Sequence, residues 1–287
     1  MNENNNKISY DIRQYINEKE YWMRKLSEEF EKSYLPYDNQ VRSIGTAKQS
    51  YEIQFSDDTA LKILRVSKNS MLKAYMVLAA SVAILLNKYT GEEKIILAMP
   101  LVKPENEPDE YPNDIVPLVI TLKDEMSFKD ILMSMRQTVV EAANNQYYPL
   151  NRIIEQLGLA QDSGFALSDV LVSMQGIHIK NSPNAPYTNV EFAFCSTSEQ
   201  IGCTIYYNPM AYTLDTIRMV GERLNGLLES ITANFDIILS SLSICSEIEA
   251  ERILNQFNNT NEKYDINGNV YTLFEMQASK TPDNVAV

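Results

Sequence analysis

The chain has 287 residues, 45% of them apolar and 22% charged, enough to bury the core of one large or two small globular domains. Its formal net charge is −13 with no cluster of lysine and arginine, which excludes nucleic acid as a favoured partner. The polar start Met1-Asn2-Glu3-Asn4-Asn5-Asn6 is no secretory signal, and the longest apolar run, Ala74 to Leu86, is interrupted by Ser81 and too short to span a bilayer, so a cytoplasmic protein with no membrane partner is expected.

Residues 1 to 9 are polar enough to be expected as a disordered N-terminus. From Tyr10 to Phe30, the apolar residues Ile12, Ile16, Trp22, Leu26 and Phe30 recur at helical spacing. The charges from Arg13 to Lys32 alternate in sign, as on a solvated helix face. Gln49 to Phe55 alternates as a strand. Ser56-Asp57-Asp58 caps a helix through Val66, and Ser70 caps a second from Met71 to Lys88 that ends near Gly91. Lys94 to Pro100 is an apolar run of buried-strand type. Pro104 to Pro112 is a loop rich in proline and acid.

Ile115 to Leu122 reads as a strand in spite of Pro117. Ser127 to Ala143 has the period of an amphipathic helix, and Pro149 suits the first turn of another that stops before Gly158. Ser168 to Gln175, Asn189 to Cys195 and Cys203 to Tyr207 read as strands, the last two as an antiparallel pair. Leu214 to Phe235 is a long amphipathic helix, Glu247 to Phe257 a short one, and Asn258 to Gly268 a polar linker. The mixture, without regular βαβ alternation, predicts a layered α/β sandwich around a mixed sheet.

Chemistry is sparse in this pattern. The three cysteines, Cys195, Cys203 and Cys245, and one histidine fit no zinc spacing. Small buried thiols are expected, and no metal site. His178 alone is available as a base, and a surface or edge position is expected for it rather than a catalytic one. No glycine-rich phosphate loop is present. Asp57-Asp58 and Asp109-Glu110 read as a helix cap and a solvated loop. The many tyrosines, Tyr147-Tyr148 and Tyr206-Tyr207 among them, suit core and interface packing.

Several stretches in order resemble the condensation domain family of nonribosomal peptide synthetases. Glu20-Tyr21-Trp22-Met23-Arg24-Lys25-Leu26 is similar to that family's Y-W-x-x-x-L helix. Leu85-Leu86-Asn87-Lys88-Tyr89-Thr90-Gly91, with Ile95 to Pro100, is similar to L-L-x-R-Y-S-G…I-x-x-G-x-P. Ile115 to Leu122 falls where the family has F-V-N-T-L-x-x-R, Asn145-Gln146-Tyr147-Tyr148-Pro149-Leu150 where it has H-Q-D-x-P-F, and Asp169 to Gln175 on its V-x-x-x-x-Q strand. Ile205-Tyr206-Tyr207-Asn208 resembles the late strand and turn. Phe257-Asn258-Asn259-Thr260 and the run from Leu273 to Asp283 resemble F-N-x-T…L-F-E-x-Q-x-x-x-T-P-D, which opens an adenylation domain.

The resemblance implies a single chloramphenicol acetyltransferase-like lobe. Residues 10–246 would be the C-terminal half of a condensation domain, 247–268 a linker and 269–287 the start of an adenylation domain. The catalytic H-H-x-x-x-D-G of the family is not in the chain, so no catalytic residue is carried over. At positions that in the family help line a tunnel between lobes, this chain has Pro117, Asn145, Gln146, Tyr147 and Gln175. Leu273, Phe274, Glu275, Gln277, Thr281, Pro282 and Asp283 belong to the adenylation entrance motif, and the stretch after Asn258 is expected to be disordered or extended along the lobe. Three roles are implied: a non-catalytic platform or docking lobe for the adenylation domain in cis, half of a split enzyme completed by an upstream subunit, or a partner-docking or regulatory module. No cofactor is expected within these residues. ATP and Mg²⁺ would belong to the downstream adenylation domain, and phosphopantetheine to carrier domains.

Overall fold

The apolar runs find their partners in a six-stranded mixed sheet. In the computed structural model, residues 2–39, 47–103, 113–159, 164–178, 188–197, 200–245, 250, 251, 254 and 269–282 are described, with side chains of the first helix from Ile12 onward. The strands are β1 (Gln49–Gln54), β2 (Lys94–Pro100), β3 (Ile115–Thr121), β4 (Val170–Met174), β5 (Val190–Ser196) and β6 (Ile201–Tyr207), in the order β1-β6-β5-β4-β2-β3. The pairs β2–β4 and β4–β5 are parallel and the rest antiparallel. Pro117 is tolerated because β3 is the edge strand, where a missing N–H breaks no interior ladder.

The helices are α1 (Asn2–Leu26), α2 (Asp57–Val66), α3 (Met71–Thr90), α4 (Phe128–Asn144), α5 (Leu150–Gln156), α6 (Leu214–Ala233) and α7 (Val270–Lys280). Within the first compact unit, Met1–Ile244, α3 contacts β2 and β4, α4 contacts β3, and α6 contacts β1 and β6, while α2 leans on α3 and α6. These four helices form one layer. The strands record how they are covered. β2 and β3 are buried almost without a break, whereas β5 and β6 alternate between buried and half-buried residues, as a sheet covered on one face does. α3 has the length and composition of a membrane helix, but Ala74 to Leu86 is buried throughout, which is how a core helix uses the same residues.

Local signals set the helix ends. Ser56 Oγ accepts the N–H of Thr59, and Ser127 with Asp130 forms a reciprocal capping box at α4. Gly91 and Gly158 end α3 and α5 with positive φ. Ser70 is the N-cap of α3, yet its side chain caps nothing. Lys68 and Asn69, both at positive φ, turn the chain there, and the cap is left to the backbone.

Three further expectations need correction. α1 begins at Asn2, through the stretch expected to be disordered, since adding a turn to a nucleated helix costs little. Of the cysteines only Cys203 is buried; Cys195 is exposed because it points to the uncovered face of β5. Two of the lysines placed on a solvated helix face are paired instead: Lys25 meets Glu141 at 3.2 Å because the last turn of α1 packs on the end of α4, and Lys32 meets Asp169 at 2.7 Å because the chain leaves the helix after Leu26. The loop 104–112, the linker 258–268 and most of the short helix expected at 247–257 lie outside the described residues.

The strap that follows α1 repairs a defect in the sheet. β2 and β4 pair only at Ala98 and Leu171. Beside that point Ser33 fits in: its Oγ accepts the N–H of Ile96 at 2.8 Å, its carbonyl accepts the N–H of Asp169, and its own N–H reaches the carbonyl of Leu167. The second compact unit, Cys245–Val287, contains α7. Residues 270–280, expected to be disordered or extended, are therefore helical, with Asn269 Oδ1 accepting the N–H of Thr272 as N-cap.

Candidate functional site

The junction between α4 and α5 holds three of the expected tunnel positions. The side chain of Asn145 donates to the carbonyl of Glu141 on its own helix. Gln146 is buried and clamps Val102 from both sides: Oε1 accepts the Val102 N–H at 3.0 Å and Nε2 donates to the Val102 carbonyl at 3.1 Å. Asn113 donates to the carbonyls of Gln146 and Tyr148 and accepts the N–H of Leu150. From α1, Trp22 donates its indole N–H to the carbonyl of Asn145 at 2.7 Å, and buried Glu18 accepts the N–H of Tyr147. Burial raises the Glu18 carboxyl above its ordinary range against the hydrogen bonds it accepts. The polar groups of this turn are thus spent on holding backbone.

Val102 joins that turn to the exit of β4. It bridges His178, and Lys103 donates its N–H to the carbonyl of Ile177. His178, expected at a surface or edge, is only 8% exposed. Its Nδ1 accepts the N–H of Met174 at 2.9 Å, which places the ring proton on Nε2, and Nε2 has no partner among the described residues. The ring stands edge-on to Tyr75, whose hydroxyl donates to the carbonyl of Val172. Burial lowers the imidazole pKa to about 3, so it is neutral at physiological pH. Gly176, at φ +93°, turns the chain under the ε-methyl of Met71, where a β-carbon would collide. Gln175 is exposed beside it, and Pro117 is remote from it on β3. The structure therefore gathers Asn145, Gln146 and Tyr147 at one joint, links them through Val102 to the Gln175–His178 turn, and leaves Pro117 apart.

Of the entrance-motif residues, Leu273, Phe274, Glu275 and Gln277 lie on α7, and Thr281 follows as its C-cap, donating N–H and hydroxyl to the carbonyl of Gln277. Pro282 is the last described residue and Asp283 lies outside. Among the described residues, no group of three or more His, Cys, Asp or Glu is placed to hold a metal ion.

Sequence reasoning missed two clusters. Asp169 is buried where the strap meets β4 and β5. Lys32 stands 2.7 Å from its Oδ1, while Tyr37 and Asn189 donate to Oδ2, and Asn189 is held in turn by Asn208. Burial, then the Asp169 charge, push the Tyr37 hydroxyl well above its ordinary pKa. The strap also walls a cavity of about 170 Å³ with Tyr34 and Tyr89.

The second cluster is on the half-covered face of β4, β5, β6 and β1. Glu191 accepts from the Ser173 hydroxyl at 2.9 Å, and burial raises its carboxyl pKa. Burial lowers the Lys48 amine, which Glu191 partly restores. The strict alternation of β5 and β6 was the available signal, since it puts Glu191, Ala193, Cys195, Gly202, Thr204 and Tyr206 on one face.

Residues 9–254 match the family model described as "Condensation domain". The chain is 30% identical to gramicidin S synthase 2 of Aneurinibacillus migulanus over 93% of its own length and 6% of that protein, and 26% identical to bacitracin synthase 3 of Bacillus licheniformis over 98% of its length and 5% of that protein. It therefore spans a small fraction of the curated relatives it matches. Among solved structures, it is similar to the starter condensation domain of rhizomide synthetase RzmA in complex with C8-CoA (TM-score 0.68, 16% identity, 82% of this chain and 56% of that one). It is also similar to holo-AB3403, a four-domain nonribosomal peptide synthetase bound to AMP and glycine (TM-score 0.73, 11% identity, 95% and 23%). These likenesses bear out the α/β lobe with its mixed sheet.

Proposed function

The chain belongs to the condensation-domain family of nonribosomal peptide synthetases, and we propose that this lobe acts without catalysis of its own, as a structural platform or docking lobe for an adjoining adenylation domain in peptide biosynthesis. One observation carries the reading: the single histidine is buried, its basic nitrogen is occupied by the Met174 N–H, and its pKa is lowered to about 3, so it is no general base at neutral pH. The commitment of Asn145 and Gln146 to backbone carbonyls and amides supports the same reading, because these side chains hold a joint rigid and leave little to present to a substrate. Phosphopantetheine-bearing carrier domains, ATP and Mg²⁺ would be handled by neighbouring domains.

A second reading is favoured by the alignment with the starter condensation domain, of which this lobe accounts for 56%. In it, an upstream subunit supplies the H-H-x-x-x-D-G lobe and the two together form peptide bonds. Amino-acid-dependent ATP–pyrophosphate exchange by the parent synthetase, with and without residues 1–257, separates the two. Loss of exchange or solubility on truncation is the platform outcome. Unchanged exchange together with lost peptide-bond formation is the split-enzyme outcome and ends the platform reading.

A further inference from the structure

The two edges of the sheet differ in how they end. In an antiparallel pair, residues alternate between those that bond across the ladder and those whose N–H and carbonyl point away from it. Just after β3, the Leu122 N–H bonds the carbonyl of Glu93, so Ile115, Pro117, Val119 and Thr121 point outward. Pro117 offers no donor there, and the Val119 carbonyl is taken by the Thr138 hydroxyl at 3.3 Å. At the other edge, the Phe55 N–H bonds the carbonyl of Ile201, which turns Gln49, Tyr51 and Ile53 toward β6. Ser50, Glu52 and Gln54, with Lys48 just before β1, then point outward, and among the described residues their N–H and carbonyl groups have no partner. Ser50, Glu52 and Gln54 are exposed, and β1 carries neither a proline nor a bulge. Lys48 has Glu191 in its vicinity but forms no ion pair with it, and Glu52 forms none among the described residues.

We propose that this open edge pairs with the same edge of a second copy of the chain, in an antiparallel ladder about a two-fold axis at Ser50. Lys48, Ser50 and Glu52 of each copy then exchange about six backbone bonds with Glu52, Ser50 and Lys48 of the other. The pattern Lys48-x-Ser50-x-Glu52 becomes its own complement when reversed, which is what a two-fold contact requires. Charge selects the register. With the axis at Ser50, each Lys48 stands directly opposite a Glu52 on the same face of the joined sheet. An axis at Glu52 sets two carboxylates face to face, an axis at Lys48 sets two amines face to face, and an axis at Gln49 or Tyr51 leaves both charges without an opposite. An offset of one residue sets outward groups against inward ones and makes no ladder. The inference does not rest on the platform role, whose test reads pyrophosphate exchange and not association.

The test uses the full chain at about 0.15 M salt, where repulsion between copies of net charge −13 is screened beyond about 8 Å. The contact is small, so sedimentation equilibrium from about 10 μM to 1 mM should show a monomer–dimer equilibrium. Amide hydrogen exchange at Ser50 and Glu52 should slow as the concentration rises. Ser50→Pro, which gives β1 the missing outward donor that Pro117 gives β3, should abolish the dimer. Lys48→Glu and Glu52→Lys should each weaken it roughly tenfold or more, and an equimolar mixture of the two should restore it, because each chain then faces its opposite. Net charge alone predicts the reverse for Glu52→Lys, which lowers the repulsion between copies. The exchange measurement is made on the unaltered chain, so misfolding of a variant does not decide the result. A native chain that stays monomeric, or that associates with exchange at Ser50 and Glu52 unchanged, overturns the proposal and leaves the edge to a different strand. A mixture of folded variants that associates no more tightly than either alone overturns the register.

Discussion

At the scale of single residues, burial sets the chemistry more than residue type does. His178 is the clearest case, because its folded pKa of about 3 lies below the ordinary 6.5. Protonation therefore favours the unfolded chain. The contribution of this group is complete above pH 6.5 and is lost as the pH falls from there toward 3. Between pH 6.5 and 5 the loss is about 2 kcal/mol. His178→Leu should flatten the acid limb of a denaturation profile over that window, while lowering stability at pH 7 because the Met174 N–H loses its acceptor. An unchanged slope would show that the ring is accessible to protons in the folded state. Gly176→Ala should cost about 1–3 kcal/mol, from the positive φ and the methyl of Met71, measured by urea denaturation. Met71→Ala in the same background should recover only the steric part.

At the scale of elements, the caps and the edge explain which readings of the sequence held. Ser127→Ala removes one half of a capping box and should lower stability by about 1 kcal/mol in thermal unfolding, whereas Ser70→Ala, at an N-cap whose hydroxyl makes no bond, should cost less. The strands and the long helices were legible because their apolar residues repeat at the periods of the elements they form, and Pro117 fitted once β3 proved to be an edge. The ends were less so. Asn2 to Ser9 has no apolar period, so its helix could not be read, and the α7 helix was hidden inside a motif read only for its family likeness. Nothing in the sequence singled out Glu191 and Lys48, because a strand pattern gives the face of a residue but not how deeply that face is covered. The Asp169 cluster draws on positions 32, 37, 169, 189 and 208, a spacing no local window contains.

At the scale of the whole lobe, the strap from Glu31 to Pro36 acts as a fastening for the sheet. Asp169→Ala should cost about 3 kcal/mol by leaving Tyr37 and Asn189 without their acceptor; Lys32, more than a third exposed, adds little because water replaces its partner. Chemical denaturation measures it, and Lys32→Met should have the smaller effect. The uneven covering of the sheet has a temporal consequence. β2 and β3 are sealed on both faces, but β1 and β6 lean on helices on one side only. Openings of the native lobe should then start at β1 and run inward through β6 and β5, with amide exchange of Tyr51 and Ile53 faster than that of Leu97 and Leu118. The lobe would unfasten like a seam, with Gln49 to Gln54 as its loose end and Ser33 as its last stitch.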